Sequence, residues 1–293
     1  MPYYETPDRV RLHYQDWGDG EPVVFVSSWA LSSRMWQYQM INLIEHGLRC
    51  IAYDRRGHGR SDDPGHGYDY DTLADDLAGL IDTLNLSGVT LVGHSMGGGE
   101  IVRYLTRHGD ARIARVALVA PAGPFPLRTE DNPNGFDPAL VAAVRAGWKR
   151  DFPAWMDAGQ DGFVGRGLPG CHVSAGLIEW TRHDMLQASL LALIECNRAA
   201  VETDLRSEMT KIAVPTLIID GDHDQSVPTE LSGQVCAELI PGSIFKLYQN
   251  APHGLYLTHP DRLTNDLLSF IHGHQVRATG EGRRESMAMP GVL

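Results

Sequence analysis

Two kinds of hydrophobic pattern alternate along this chain. Short runs such as Pro22–Val26 are continuously apolar, which is typical of strands buried on both faces of a parallel sheet. Longer runs such as Asp71–Leu86 place apolar residues every three to four positions, which is typical of an amphipathic helix. The alternation predicts strand–helix–strand units around a mostly parallel sheet. Further strands are predicted in a hairpin over Tyr3–Trp17 and at Leu48–Tyr53, Val89–Val92, Val116–Val119, Ala213–Ile219 and Ser243–Tyr248, and further helices at Met35–Ile44, Ile101–Leu105, Ser232–Leu239 and Asp261–Ile271.

The alternation stops at Pro121 and resumes at Ala213. Between these points the chain shows helical segments, Pro138–Ala146 and Ala175–Arg198, and no convincing strand. Turns rich in Gly, Pro and Asn separate the helical segments. We therefore predict that residues 122–206 form a helical cap over the sheet.

The chain of 293 residues is long enough for one large α/β domain that carries an insertion. The predicted core consists of residues 1–121 and 207–273. Residues 274–293 are polar and aperiodic, and we expect them to form a mobile C-terminal tail.

The net charge of the chain argues against two classes of binding partner. A formal net charge of −12 repels phosphate and anionic lipid, so we expect neither nucleic acid nor a membrane surface as a partner.

The start, Met1–Glu5, lacks a secretory signal and no apolar run reaches the roughly 18 residues of a membrane span, so we expect a cytoplasmic protein. Zinc-ligand spacings and an H-E-x-x-H motif are missing, so we expect no metal site. The four cysteines, expected to be reduced, are Cys50, Cys171, Cys196 and Cys236.

The segment Gly93–Gly97 reads G-x-S-x-G and lies between a strand-like run and a helical run. So tight a turn leaves no room for side chains two positions before and after its centre, which favours glycine at both places. The same turn strains the backbone of Ser95 and holds its Oγ clear of the main chain. The pattern therefore predicts a nucleophilic serine at the carboxyl edge of the sheet.

A serine hydroxyl needs a neighbouring base, and the base needs a carboxylate that orients it. When the serine turn comes first in the chain, the acid and then the histidine follow, each on a loop after a strand. His253 lies on the loop after the predicted strand Ser243–Tyr248, so it is the expected base. The loop after the preceding strand offers Asp222 and Asp224, and Asp220 ends that strand. Their positions alone do not decide which one is the acid.

Four motifs follow one another along the chain: Asp54–Ser61, Gly93–Gly99, Gly221–Pro228 and Ala251–Gly254. Together and in this order they resemble the α/β-hydrolase superfamily, and more narrowly the bacterial aryl esterases and cofactor-free haloperoxidases, or perhydrolases. The matching features run from about Tyr14 to Ile271. The resemblance implies the α/β-hydrolase fold, with a mostly parallel eight-stranded sheet flanked by helices and the helical cap inserted after the sixth strand. It also implies that no cofactor is needed.

The resemblance also implies roles for individual residues. In that family the catalytic aspartate falls three residues after the glycine of the acid loop, which selects Asp224 and leaves Asp222 as a turn residue. The family's oxyanion hole implies backbone N–H donors from Met96, directly after the nucleophile, and from Trp29. The expected catalytic residues are Ser95, Asp224 and His253, and the expected pocket residues are Trp29, Phe125 and Val227.

Two places depart from the family pattern. The chain has Ser27 and Ser28 where the family usually has His-Gly ahead of the oxyanion residue. The change removes backbone freedom and a buried hydrogen-bonding side chain, so we expect it to affect the oxyanion loop and the choice of substrate rather than the triad. Asp220 stands where the family often has histidine.

The expected function is hydrolysis of a carboxylic ester or lactone through an acyl-enzyme intermediate, and the expected partner is a small molecule with such a carbonyl. Perhydrolysis, in which hydrogen peroxide replaces water, and cleavage of a C–C bond are alternatives on the same residues. A non-catalytic ligand-binding protein is a third. A haloalkane dehalogenase or epoxide hydrolase would need a carboxylate in place of Ser95 and is excluded. A homo-oligomer is compatible with the sequence, which does not determine the oligomeric state.

Overall fold

A single sheet forms the centre of the fold in the computed structural model, which describes residues 2–273. Within that range the sheet has eight strands: β1 (Tyr3–Glu5), β2 (Arg11–Trp17), β3 (Glu21–Val26), β4 (Leu48–Tyr53), β5 (Val89–His94), β6 (Ile113–Val119), β7 (Thr216–Gly221) and β8 (Ile244–Tyr248). Their order is β1-β2-β4-β3-β5-β6-β7-β8. The six strands β4, β3, β5, β6, β7 and β8 run parallel to one another. Strand β2 pairs antiparallel with β4, and β1 pairs antiparallel with β2. The predicted mostly parallel eight-stranded sheet is confirmed.

The central strands are apolar throughout because both faces of the sheet are covered. In β3, Val24 and Val26 belong to one hydrophobic core, whereas Val23 and Phe25 belong to the core on the opposite face. All four side chains are inaccessible to solvent. Each such side chain contributes roughly 1.5–3 kcal/mol through burial. This two-sided burial holds the carboxyl ends of the strands, where the site lies, on a rigid base.

Helices cover both faces and fill the chain between β6 and β7. They are α1 (Gln37–Glu45), α2 (Tyr70–Thr83), α3 (Met96–His108), α4 (Pro138–Phe163), α5 (Ala175–Met185), α6 (Leu190–Glu202), α7 (Arg206–Met209), α8 (Gly233–Leu239), α9 (Leu255–Thr258) and α10 (Pro260–Ile271). A short 3-10 turn, Ser33–Trp36, precedes α1. In the described range, none of the helices has both the length and the hydropathy that crossing a membrane requires.

The insertion between β6 and β7 is helical, as the pattern predicts, but two of its helix boundaries differ from the prediction. The predicted helix Pro138–Ala146 continues to Phe163 as α4, although it contains Pro153 and departs from helical geometry at Asp151. The predicted helix Ala175–Arg198 is two helices, because the hydroxyl of Ser189 accepts the N–H of Ala192 and starts α6 afresh. The division into core and cap at residues 122 and 206 stays a prediction, and the predicted tail, 274–293, lies outside the described residues.

Candidate active site

Ser95 lies in the turn between β5 and α3 with φ 53° and ψ −119°. Such a conformation costs a residue other than glycine roughly 1–3 kcal/mol. The flanking glycines are required by space. A Cβ at Gly93 would come within 2.7 Å of the backbone carbon of Gly97, and a Cβ at Gly97 would lie 2.5 Å from the carbonyl oxygen of Val26. The G-x-S-x-G spacing thus follows from the closeness of α3 to β5 and β3.

His253 and Asp224 are brought together by the loops after β8 and β7. The Nδ1 atom of His253 lies 2.6 Å from Oδ2 of Asp224, and both residues are buried. The other carboxylate oxygen, Oδ1, accepts the backbone N–H groups of Ser226 and Val227 at 2.8 and 2.9 Å. Three donors therefore set the position of the carboxylate, which in turn holds the imidazole through Nδ1.

The environment of His253 favours its protonated form. Burial by itself lowers the pKa of this imidazole, but the charge of Asp224 and the hydrogen bond to it outweigh burial, so the net pKa is raised. A smaller contribution in the same direction comes from the charge of Asp220. His253 therefore holds a proton more strongly than an exposed histidine does, as a base that must accept one from a hydroxyl should.

The other two aspartates considered for the acid do not contact His253. Asp222 is partly exposed, and its Oδ1 lies 2.7 Å from Nδ1 of the adjacent His223. Asp220 is fully buried, and its carboxylate accepts the hydroxyl of Ser232 and the N–H of Gly233, each at 2.9 Å. Burial, followed by the charge of Asp224, raises the pKa of Asp220 to about 6.

His94, the residue before Ser95, links the serine turn to the loop that carries His253. Its Nε2 lies 2.9 Å from the carbonyl oxygen of His253, and the two rings meet edge to face at 4.9 Å. Burial, then the charge of His253, holds the pKa of His94 well below its usual range, so this imidazole is neutral. Because a carbonyl only accepts, the neutral ring must carry its proton on Nε2. Apart from its place inside the G-x-S-x-G motif, no feature of the sequence singles out His94.

The two backbone N–H groups expected to form an oxyanion hole are both available. Within residues 2–273, neither Trp29 nor Met96 donates its backbone N–H to another residue. Both residues line the cavity that Ser95 also lines. Met96 is the first residue of α3, where backbone N–H groups lack acceptors inside the helix.

A buried ion pair holds the loop that leads to Trp29. The guanidinium of Arg55 donates to the carbonyl oxygens of Ser27 at 2.7 Å and of Ser28 at 3.2 Å. Its Nε donates to the carboxylate of Glu100 in α3 at 2.7 Å, and both charged side chains are buried. Ser27 and Ser28, which stand where the resemblance implies His-Gly, are therefore held through their carbonyl groups. Every residue type offers such a carbonyl, so this contact does not depend on the side chain.

The helical insertion also contacts this loop directly. The indole Nε1 of Trp29 donates to the carbonyl of Leu193 in α6 at 2.8 Å, and its ring stacks on Trp148 of α4 at 4.7 Å. Asp184 of α5 accepts the backbone N–H of Ser32 at 3.0 Å and its hydroxyl at 2.6 Å. The loop that carries Trp29 is thus anchored by the core on one side and by the insertion on the other.

A cavity of about 540 Å³ opens beside Ser95 and His253, between the strand ends and the insertion. Trp29 and Val227 line it, but Phe125 does not. The Phe125 ring instead lies under the guanidinium of Arg206, 5.1 Å from its carbon, and the next residue, Pro126, lines the cavity. The expectation for Phe125 is wrong because the direction of a side chain in an irregular segment does not follow from sequence.

Sequence comparison assigns the chain to a family. A model of the alpha/beta hydrolase fold matches residues 21–157. A non-heme haloperoxidase from Rhodococcus erythropolis is 39% identical over 273 residues, which covers 92% of this chain and 99% of the relative. The chain belongs to the α/β-hydrolase family. A bifunctional esterase/perhydrolase from Acinetobacter calcoaceticus is 36% identical to this hydrolase over 275 residues, covering 92% and 99% of the two chains.

Structural comparison agrees with this family. The crystal structure of a bromoperoxidase from Bacillus anthracis matches this α/β hydrolase with a TM-score of 0.88 and 38% identity, covering 92% of this chain and 100% of the other. Among residues 2–273 of the hydrolase, no three His, Cys, Asp or Glu side chains are grouped as they would need to be to hold a metal ion.

Proposed function

We propose that this α/β hydrolase cleaves a carboxylic ester or lactone, with Ser95 as nucleophile, His253 as base and Asp224 as the acid that orients the base. The observation that carries the proposal is the 2.6 Å contact between His253 and Asp224, beside a cavity that the strained Ser95 also lines. Esterase and perhydrolase relatives support the same class of chemistry.

In the first half-reaction, Oγ of Ser95 attacks the substrate carbonyl while Nε2 of His253 takes its proton. The negative charge moves to the carbonyl oxygen, where the N–H groups of Trp29 and Met96 stabilise it. Removing one such donor typically costs about 10²–10³ in kcat. Collapse of the intermediate breaks the bond to the alcohol oxygen, which leaves with the proton held by His253.

In the second half-reaction, water attacks the acyl-enzyme and gives its proton to His253. The bond to Ser95 breaks, the serine recovers the proton, and the carboxylic acid leaves. Asp224 holds the Nδ1–H of His253 throughout and stabilises the imidazolium that forms twice in the cycle. For a lactone the alcohol stays attached, so one hydroxy acid is released.

Perhydrolysis is the second candidate function, because one relative of this chain is a bifunctional esterase/perhydrolase and another is a haloperoxidase. Hydrogen peroxide would replace water in the second half-reaction, and the product would be a peracid. The acyl-enzyme is common to both reactions, so they differ only in which nucleophile reaches it.

Labelling with a fluorophosphonate, followed by peptide mass spectrometry, tests the nucleophile. We expect one equivalent of label on Ser95, turnover of p-nitrophenyl esters, and a loss of about 10⁶ in kcat for Ser95→Ala. Absence of both label and turnover on esters and lactones would favour a ligand-binding protein. Label without ester or lactone turnover would favour C–C bond cleavage, and peracid formed faster than acid would favour perhydrolysis.

A further inference from the structure

The cavity beside Ser95 has a wall that is apolar over most of its extent. The strand ends contribute the reactive groups, and the insertion contributes large hydrophobic side chains from α4 and α5. Its volume of about 540 Å³ falls within the range of clefts that hold drug-sized ligands, roughly 300–1,000 Å³. Six of the apolar side chains that line it are Val144, Trp148, Trp155, Met156, Phe163 and Ile178.

The wall offers no free charge to a substrate. Apart from His253, Arg182 is the only basic or acidic residue that lines the cavity among residues 2–273. Its Nε is already 2.6 Å from a carboxylate oxygen of Asp157, and Glu179 lies 3.8 Å from its Nη1. A carboxylate on the substrate would have to leave water without gaining a counter-ion, which is strongly unfavourable.

The cavity has an apolar mouth. Leu140 and Trp155 of α4 line the cavity, yet 60% and 38% of their surfaces are exposed. Large apolar side chains that face both a cavity and solvent mark a place where a ligand passes or protrudes. A substrate group longer than the cavity can therefore reach solvent beside these side chains.

We infer that the substrate is a neutral ester or lactone with a large apolar group, a long alkyl chain or an aromatic system, on one side of its carbonyl. That group fills the space under α4 while the carbonyl lies at Ser95. The inference rests on the proposed function, because it names the substrate class of the same site. Small, charged or highly polar esters leave the cavity unfilled and are poor substrates.

The test uses two series of neutral esters that vary by one methylene group at a time. One is p-nitrophenyl esters of acids with two to ten carbons, and the other is acetates of alcohols of the same lengths, followed by titration of released acid. We expect kcat/KM to rise about fourfold per methylene in one series until the cavity is full. An ω-carboxylate on the longest chain that the cavity still encloses should lower kcat/KM at least about 100-fold.

Two glycines of α4 supply a matched pair of variants. Gly159 lines the cavity, whereas Gly147 does not, and a Cβ at either position meets no atom within 4 Å. Both substitutions remove a helix-interior glycine, so both variants should fold. We expect Gly159→Trp to shift the optimum to shorter chains by several carbons and Gly147→Trp to keep the wild-type optimum.

The outcomes separate this inference from the proposed function. If kcat/KM is flat or falls with length in both series while short esters are hydrolysed, the apolar substrate class is wrong and the esterase proposal stands. A carboxylated chain hydrolysed as fast as its neutral counterpart overturns the neutral class in the same way. If no ester is hydrolysed and Ser95 takes no fluorophosphonate label, the proposed function itself fails.

Discussion

The carboxylate of Asp184 accepts two hydrogen bonds from Ser32, one from the backbone N–H and one from the hydroxyl. Asp184 belongs to the helical insertion, and Ser32 lies three residues after Trp29, on the loop that leads into α1. Both residues are buried. Their contact means that the proposed oxyanion donor is positioned partly by the insertion and not by the core alone.

The first prediction concerns this contact. In Asp184→Asn, both hydrogen bonds from Ser32 lose their charged acceptor, and only one oxygen remains to accept them. A hydrogen bond to a charged group contributes about 1.5–3 kcal/mol. We expect kcat to fall about tenfold with a smaller change in KM, and the free energy of unfolding to fall by a similar 1–3 kcal/mol. A double-mutant cycle with Ser32→Ala measures the coupling, and unchanged kcat in a destabilised variant would show that the contact is structural only.

The second prediction compares two neighbouring aspartates. Of these two aspartates, Asp224 is the one that contacts His253, so Asp224→Asn should lower kcat by roughly 10⁴ because the imidazole is no longer held in the required tautomer. Asp222 contacts His223 instead, and Asp222→Asn should stay within a few-fold of the wild type. Steady-state kinetics on one ester decides between them, and the reverse order would make Asp222 the acid.

The third prediction concerns pH. His253 must be neutral to act as a base, and its pKa is raised above its usual value of about 6.5. The specificity constant kcat/KM should therefore rise with pH, and the midpoint of this rise should lie above pH 6.5. Asp220→Asn removes a negative charge that favours the protonated imidazole, so it should move this midpoint to lower pH. Thermal unfolding checks that Asp220→Asn is folded; a midpoint unchanged in this variant would show that Asp220 has no influence on the base.

The fourth prediction concerns the strain at Ser95. Glycine adopts φ 53° and ψ −119° with little penalty, whereas alanine keeps the Cβ that makes this conformation unfavourable. Ser95→Gly should therefore raise the free energy of unfolding by roughly 1–2 kcal/mol relative to Ser95→Ala, with both variants inactive. Equal stability in denaturant titrations would contradict the assignment of strain to this turn.

The fifth prediction separates the backbone of Trp29 from its side chain. Trp29→Pro removes the N–H group and should lower kcat by about 10²–10³ in a folded protein. Trp29→Phe keeps that N–H but loses the indole donor to Leu193, so it should change KM and chain-length preference more than kcat. Circular dichroism controls for folding, and full activity of Trp29→Pro would place the oxyanion donor elsewhere.

The sheet could be predicted from sequence because its strands are buried on both faces and therefore leave an uninterrupted apolar pattern. The serine turn could be predicted because the clash at Gly93 and Gly97 restricts those positions to one residue type. Helix boundaries in the insertion could not. A local cap at Ser189 divides one apolar run, and a kink at Asp151, whose carboxylate accepts the N–H of Ala154, lets the helix restart just before Pro153. The contact of Asp184 with Ser32 joins positions 152 residues apart, and no local pattern reports it.

The contacts of Trp29 and Ser32 with the insertion have a consequence for recombination between enzymes of this family. If recombination replaced residues 122–206 with those of a relative, Trp29 would keep its acceptor, because Leu193 contributes only a carbonyl that any residue supplies. Ser32 would keep its acceptor only if the relative that supplies the segment also had an aspartate at position 184. Ser32 and Asp184 would therefore have to be exchanged together. An insertion without Asp184 would leave the loop of Trp29 and Ser32 misaligned until a second substitution supplied a new acceptor for Ser32.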